Sequence, residues 1–495
     1  MYAYSVAAIR EIEEAAIAVE GVDALMQRAA AAVARSAAEL LHTLVGKVYG
    51  ARVMILVGAG NNGGDALFAG ARLAKRGARI TAVRCLGTPH PAGLAALLAS
   101  GGRLVALNDL ELADDPAVQR RPDCDLAIDG ILGIGGRPGL PESVALLAAT
   151  LDGWDVPVVA VDLPSGVGAD TGAVPGTSIR AARTVTFGEL KPCHVLEPAR
   201  SRCGLVELVD IGLGAVHDRE PLLVGMDEEQ LAMSWPYPQV RSDKYARGVV
   251  GIDAGSEDYP GAGVMATFGA VYGGAGMVRF LGAARPARLI EAQLPNVVFA
   301  PGRVQSRLFG SGWGERSDGE KVLAEAKDEG LPVVVDADGL KYLPQNPPSN
   351  WLLTPHAGEL ARLLDRDRGW VEEDPVRAVT AGVRQTGAPV LLKGAAQVVA
   401  SPETEFVSVA LPGPAWTAQA GSGDVLGGVC AALLAAGVEP QLAGQLGASV
   451  QAVAAHEQPG AVAPQQLAVA IGKTLGWLQL RRDELLAEAA GTAWP

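Results

Sequence analysis

The sequence predicts an α/β protein of two successive units, the first a parallel, doubly wound sheet. Three observations predict it. Short apolar runs rich in Val, Ile and Leu recur and stop at glycine, as strands buried on both faces do. Helical periodicity fills the intervals between them. The 495 residues also exceed what one core supports, so the alternation must be divided between domains.

Ser5 to Val45 reads as two Ala-rich helices. Arg10, Glu11, Glu13 and Glu14 interrupt the first, which makes it amphipathic rather than the apolar core of a signal peptide. Val53 to Val57 is a strand that stops at glycine, and a helix is expected from Asp65 to Arg76. Arg79 to Leu86, Leu126 to Ile131 and Val156 to Val161 continue the strands, and Thr184 to Phe187 and Val206 to Ile211 complete the sheet. Between Ala215 and Val240 the composition turns acidic, then Trp235-Pro236-Tyr237-Pro238 prevents continuous helix. A boundary is expected near residue 220.

A second alternation opens with the strand from Val249. Further strands are expected at Pro332 to Val335, Trp351 to Leu353, Val390 to Leu392, Val398 to Ala400 and Phe406 to Ala410. Helices are expected at Gly261 to Gly274, Gly319 to Lys327, Pro375 to Gln385, Gly421 to Ala436, Gln441 to Ala455 and Gln465 to Arg481.

Composition narrows the function. A formal charge of −14 argues against non-specific binding of nucleic acid. Five scattered cysteines without a CxxC pair suggest neither a disulfide framework nor a zinc site. No window approaches the roughly 18 apolar residues of a membrane span. A cytoplasmic protein without membrane attachment is expected.

The strongest chemical signal lies late in the chain. Lys393-Gly394 ends a strand, and Gly421-Ser422-Gly423-Asp424 then opens a helix with one carboxylate in its first turn. N–H groups at such a terminus favour anionic oxygens, and an aspartate beside phosphate is placed to take a proton from an attacking hydroxyl. Gly310-Ser311-Gly312-Trp313-Gly314 and Thr354-Pro355-His356-Ala357-Gly358-Glu359 also fall at strand ends, where open α/β sheets bind ligands. In the first half, Gly58-Ala59-Gly60-Asn61-Asn62-Gly63-Gly64-Asp65 is a glycine-rich loop, and Asp129 and Asp162 follow strands. Each motif also has a plain structural reading, as a turn or helix cap.

From about residue 240 to 480, Lys244-Tyr245-Ala246-Arg247-Gly248, Ala254 to Ala262, Val335-Asp336-Ala337-Asp338-Gly339-Leu340, TPHAGE, Lys393-Gly394 and GSGD resemble the NAD(P)H-hydrate dehydratases, which are ribokinase-like. The resemblance implies removal of water from a hydrated nicotinamide cofactor, with Asp424 as base and ADP, carried with magnesium, converted to AMP and phosphate. It assigns hydrate contacts to Gly312, Asp424 and His356-Ala357-Gly358-Glu359-Leu360-Ala361-Arg362. Nucleotide contacts fall to Lys393-Gly394-Ala395-Ala396-Gln397 and Pro414-Ala415-Trp416-Thr417-Ala418-Gln419-Ala420-Gly421-Ser422-Gly423. Ser311 and Trp313 replace the Pro and Leu usual in that family's loop, and the stretch Ala415 to Ala420 is poorer in Gly and Thr than usual.

Residues 1 to about 215, through the NNGGD loop, the Asp129 and Asp162 segments, Thr184 to Phe187, Glu189-Leu190-Lys191-Pro192 and Asp210-Ile211-Gly212, resemble the NAD(P)H-hydrate epimerase domain, which is Rossmann-like. The resemblance implies interconversion of R and S hydrates, with Asp129 or Asp162 shuttling the proton. Asn62, Asp129 and Ser165 would ligate potassium. Asn61-Asn62-Gly63-Gly64-Asp65, Gly133-Ile134-Gly135-Gly136-Arg137-Pro138-Gly139 and Asp162 would contact the hydrate. Ala59 and Ala66 are small departures.

The expected organisation is an epimerase domain at 1–218, a linker at 219–240 and a dehydratase domain at 241–487. Expected partners are hydrated NADH or NADPH and ADP, with a homo-oligomer as the expected assembly. Two rival readings stand beside this one. One is a ribokinase-like small-molecule kinase with an accessory domain, the other a catalytically silent first domain of the kind found as a scaffold in RNA-decapping assemblies.

Overall fold

The computed structural model describes residues 1–110, 122–214 and 219–490. The chain divides into two compact units between Leu222 and Leu223. Residues 215–218, part of the expected boundary, lie outside the described ones.

The first unit carries a seven-stranded parallel sheet in the order Arg103–Ala106, Arg79–Arg84, Arg52–Val57, Leu126–Gly130, Val158–Val161, Arg183–Phe187 and Leu205–Val209. Alternation along each strand supplies two cores. Val53, Ile55 and Val57 enter one apolar cluster with Ala30, Val33 and Leu41 of the helix Val22–Val45. Met54 and Leu56 enter the other with Leu147 and Leu151 of the helix Glu142–Gly153. Each such side chain is worth about 1.5–3 kcal/mol when fully buried, which holds the central strands in register.

Arg103–Ala106 is an edge strand that the apolar-run criterion passes over, because its residues are only half-buried or exposed. The helix expected from Asp65 begins earlier, at Asn61, and runs to Lys75. The NNGGD segment is therefore its first turn rather than a loop. Glycine makes this possible: a Cβ on Gly63 would lie 2.3 Å from the Gly58 carbonyl oxygen.

In the second unit the strands run Leu223–Gly225, Val407–Val409, Val398–Ala400, Val390–Leu392, Trp351–Leu353, Val333–Val335, Ser306–Phe309, Val249–Asp253 and Met277–Phe280. Those from Val390–Leu392 onward pair in parallel, whereas Val398–Ala400 is antiparallel to both its neighbours. The short connection Lys393–Gln397 permits only a hairpin return, since a parallel crossover needs a dozen or so residues.

Leu308, Val334, Leu352 and Leu391 form the sheet side of one core with Val425, Leu426, Val429 and Leu446. The helices Pro260–Tyr272 and Ser422–Ala435 cross there at glycine. A Cβ on Gly269 would lie 2.1 Å from the Val425 oxygen, and one on Gly428 equally close to the Ala266 oxygen. This close crossing fixes the helix that carries Asp424.

Much of the expected linker 219–240 is structured. Leu223–Gly225 pairs in parallel with Val407–Val409, and Asp227 caps the helix Glu228–Ser234. Leu231, Trp235 and Tyr237 are buried in the second unit's core. The prolines do end the helix, but the aromatic residues between them gain more from burial than from exposure. Among the described residues, no helix is long and apolar enough to cross a membrane.

Candidate active sites

Both candidate sites lie where neighbouring strands send their connections in opposite directions, the position at which open α/β sheets leave a crevice. In the second unit Val249–Asp253 lies between Met277–Phe280 and Ser306–Phe309. The loops that follow it and Ser306–Phe309 part around a cavity of about 1000 Å³. Tyr259, Ala262, Gly312, Asp338, Gly421 and Asp424 are among its walls. Gly312 has φ 64°, and a Cβ there would lie 2.5 Å from that of Ala262, so the loop comes this close only as glycine.

Beneath this cavity a polar network is centred on Asp336, which is 1% exposed. Its carboxylate accepts from the Ser311 hydroxyl at 2.8 Å, from Thr354 Oγ1 at 2.8 Å and from Lys393 Nζ at 2.5 Å. Buried ions survive when paired and hydrogen-bonded, and this one is both. Asp424, in the first turn of Ser422–Ala435, lies near the network without an ion pair to Lys393. Burial, and then the Asp336 charge, push the Asp424 carboxyl up to about 6, against the opposing pull of Lys393 and Ser311. A carboxylate so tuned is ionised at neutral pH yet basic enough to take a proton.

The strand ends bring the TPHAGE and Lys393-Gly394 segments together. His356 and Lys393 form a parallel bridge, and Lys393 N–H donates to the Pro355 oxygen at 2.9 Å. His356 is the cap of the helix Ala357–Leu364: its Nδ1 accepts from Gly358 and Glu359 N–H, and Glu359 accepts from His356 N–H. Its ring is exposed and, like Lys393 and Trp416, it does not border the cavity around Asp424. Trp416 is 61% exposed on the turn Ala415–Thr417. Of the helix-opening N–H groups, that of Ser422 donates to the Gln419 oxygen at 3.3 Å.

The two unusual loop residues have local partners. Ser311 feeds Asp336, and Trp313 Nε1 donates to the Asp253 oxygen at 3.0 Å under the Arg316 guanidinium, 4.2 Å from the ring centre. Asp336 and Ser311 are the residues that motif-by-motif reading left without a role. Asp336 stands in a quoted motif, but only folding shows that it holds Lys393.

In the first unit Arg52–Val57 lies between Arg79–Arg84 and Leu126–Gly130. A cavity of about 410 Å³ opens between the connections that follow Arg52–Val57 and Leu126–Gly130. Of the residues expected at the hydrate, Asn61, Asn62, Asp65, Gly133 to Gly136 and Asp162 line it. Gly63, Gly64, Arg137, Pro138 and Gly139 do not. Arg10 and Glu13, from the helix Val6–Glu20, also line it. Their sequence signal was only that of an amphipathic helix.

The aspartates of this unit are held differently. Asp162 accepts from Lys191 Nζ at 2.7 Å and from Thr186 Oγ1 at 3.0 Å, and Lys191 is 1% exposed. Burial opposes ionisation, but the Lys191 charge and hydrogen bond, with His194 and Thr186, carry the Asp162 carboxyl below its ordinary value. Its backbone has φ 66°, a strained conformation for a residue with a Cβ.

Asp129 is fully buried and does not border the cavity. It accepts from Ser165 Oγ and Ser165 N–H, both at 2.7 Å, and from Ile131 N–H at 3.2 Å. Burial pushes it up to about 6 despite these bonds. Asn62 packs against the same strand end, and its Nδ2 is buried without a partner. The Asp129 carboxylate and the Ser165 hydroxyl are oxygens suited to a hard cation, to which Asn62 can add only its amide oxygen, since the unpartnered Nδ2 is a donor. Among the described residues, no group of three or more His, Cys, Asp or Glu side chains is placed to hold a metal.

Comparison with known proteins covers both units. A family model described as NAD(P)H-hydrate dehydratase matches residues 250–475, and one described as YjeF-related protein N-terminus matches residues 22–193. The bifunctional NAD(P)H-hydrate repair enzyme of Mycobacterium tuberculosis is 43% identical over 88% of this chain and 89% of its own. That of Escherichia coli K12 is 33% identical over 78% and 77%. An ADP/ATP-dependent NAD(P)H-hydrate dehydratase from Bacillus subtilis, crystallised with ATP and Mg²⁺, is 20% identical with a TM-score of 0.47, covering 51% of this chain and 97% of that one. Matched in both halves and across most of its length, the chain belongs to the family of bifunctional NAD(P)H-hydrate repair enzymes.

Proposed function

We propose that the second unit dehydrates the S hydrate of NADH or NADPH at the expense of ADP, and that the first unit interconverts the R and S hydrates. The observation that carries the dehydratase reading is the division of labour around Asp336. Lys393 pairs with Asp336, so Asp424 stands as a separate carboxylate on the cavity wall beside Gly312.

The chemistry follows from leaving groups. Hydroxide is a poor one and phosphate a good one. Asp424 takes the proton of the ring hydroxyl, and the freed oxygen attacks the terminal phosphoryl group of ADP as AMP departs. The ring nitrogen lone pair then expels phosphate, and loss of a proton from the adjacent carbon restores the dihydropyridine. The opening of Ser422–Ala435, at which Gly421 and Asp424 line the cavity, would offer the positive end of the helix dipole to the charge that develops on the transferring group. Magnesium carried with ADP would offset phosphate charge. Lys393 to Gln397 and Pro414 to Gly423 are the proposed nucleotide contacts, and Gly312 with His356 to Arg362 the hydrate contacts.

In the first unit the hydrate occupies the cavity lined by Asn61, Asn62, Asp65 and Gly133 to Gly136, with Asp162 at its wall. Asn62, Asp129 and Ser165 would hold a potassium ion, which would offset the Asp129 charge. The domain limits proposed are 1–218 for the first activity and 223–487 for the second, since Leu231, Trp235 and Tyr237 pack in the second unit's core, with cytoplasmic residence and a homo-oligomeric assembly.

The test is absorbance of the reduced nicotinamide after adding the protein to mixed R and S hydrates with ADP and magnesium, beside ATP and nucleotide-free controls. Full and rapid recovery supports both activities. Recovery of the S share alone removes the epimerase reading. No recovery with any adenine nucleotide removes the dehydratase reading and returns the second unit to the kinase class.

A further inference from the structure

Three carboxylates, Glu13, Asp65 and Asp162, line the first-unit cavity, and their surroundings differ. Asp162 is fixed as a carboxylate by Lys191 and Thr186, while His194 Nε2 lies 2.9 Å from its carbonyl oxygen. Asp65 is 8% exposed, and its Oδ1 is shut off from solvent without any hydrogen-bond partner. The charged groups that face it are Asp162 from the sheet and Glu13 from the helix Val6–Glu20. An ionised Asp65 would lack solvation and be repelled by both. Asp129 offers no alternative, since it lies off the cavity with both oxygens engaged.

We infer that Asp65 is the proton donor, and Asp162 the proton acceptor, of the first-unit reaction, an assignment that rests on the epimerase reading above. Two carboxyl groups in one cavity, one kept neutral and one kept ionised, are a general acid and a general base. Burial, with Asp162 and then Glu13, holds Asp65 well above the ordinary carboxyl range, and Lys191 holds Asp162 below it.

The step balances as follows. The ring nitrogen lone pair forms a C=N bond as the adjacent C–O bond breaks, and Asp65 gives its proton to the departing oxygen, which leaves as water. The Asp65 carboxylate then balances the iminium charge. A water adds to the opposite face of that carbon, re-forming the C–O bond and returning the electron pair to nitrogen, while Asp162 takes the released proton. That proton passes back to Asp65 within the cluster, and Glu13, itself raised by burial and by Asp162, lies alongside. Arg10 is the cation among the residues that line the cavity.

The test uses the full chain with R hydrate, following R-to-S conversion by chromatography, and S hydrate with ADP as the internal control. Asp65→Asn mimics the neutral acid in shape but has no acidic proton. R-to-S conversion is expected to fall about 100-fold or more, with dehydration of S hydrate and the thermal unfolding profile unchanged. Asp162→Asn should lose conversion likewise. Conversion by Asp65→Asn at the wild-type rate overturns the inference. Should that variant fail to fold, the wild-type profile decides: conversion is expected to decline on the alkaline side as Asp65 ionises, and a rate flat through the alkaline range overturns the assignment. A wild-type protein no faster than the uncatalysed reaction overturns the epimerase reading itself, and this inference with it.

Discussion

Lys393 Nζ lies 2.5 Å from Asp336 Oδ1, and this pair sets the electrostatics of the second unit's cavity floor. Burial disfavours the Lys393 ammonium, yet Asp336 and Glu359 hold its pKa above the ordinary value. The same Asp336 charge helps keep Asp424 raised, so one buried aspartate pins the lysine and tunes the base.

Asp336→Ala should therefore be among the most damaging single changes in the second unit. It strands a buried lysine and two hydroxyls, and breaking a buried pair costs about 3–5 kcal/mol. The expected outcome is a lower unfolding midpoint by calorimetry and loss of dehydration, with R-to-S conversion retained. Unchanged stability would count against the network.

The Asp424 carboxyl near 6 gives a pH prediction with a definite sign. Below that value the base is protonated and cannot accept the hydroxyl proton. Dehydration should fall about tenfold per pH unit on the acid side and level off above neutrality. Asp424→Asn should lower kcat by about 10²- to 10⁴-fold at pH 7 with hydrate binding preserved. Full activity at pH 4.5 would remove Asp424 from the role of base.

Lys191→Met should abolish epimerisation and destabilise the first unit. The substitution leaves the Asp162 carboxylate buried without its partner, at a cost of about 3–5 kcal/mol. Its carboxyl should then titrate higher, readable by NMR of side-chain-labelled protein. An Asp162 carboxyl that still titrates below the ordinary range would show that Lys191 is dispensable there.

Gly63→Ala separates the two sites. Its Cβ would collide with the Gly58 oxygen, so the first turn of Asn61–Lys75 must shift, typically at about 1–3 kcal/mol. R-to-S conversion should drop severely while S-hydrate dehydration persists. Equal loss of both activities would argue against separate sites.

The sequence by itself determined the α/β class, most central strands and the helix opened by GSGD. Those features are local: apolar runs, glycine stops and helical periodicity report them directly. It also determined the family, because complete motif sets stand in both halves, and the relatives bear that out.

Elements with weak local signals escaped it. Arg103–Ala106 lacks a fully buried residue, and Leu223–Gly225 is too short to show a period. The NNGGD segment read as a loop because glycine disfavours helix, yet packing against Gly58 makes it the first turn of one.

Only the tertiary structure decided which ionisable groups meet. Asp336 and Lys393 lie 57 positions apart, and Asp162 and Lys191 lie 29 apart. Glu13 reaches the first cavity from a helix whose sequence shows nothing but amphipathicity. Charge pairing, burial and strand order act across the fold rather than along the chain. For that reason the choice between Asp129 and Asp162 was open in the sequence, and Asp65 stood there only as a hydrate contact.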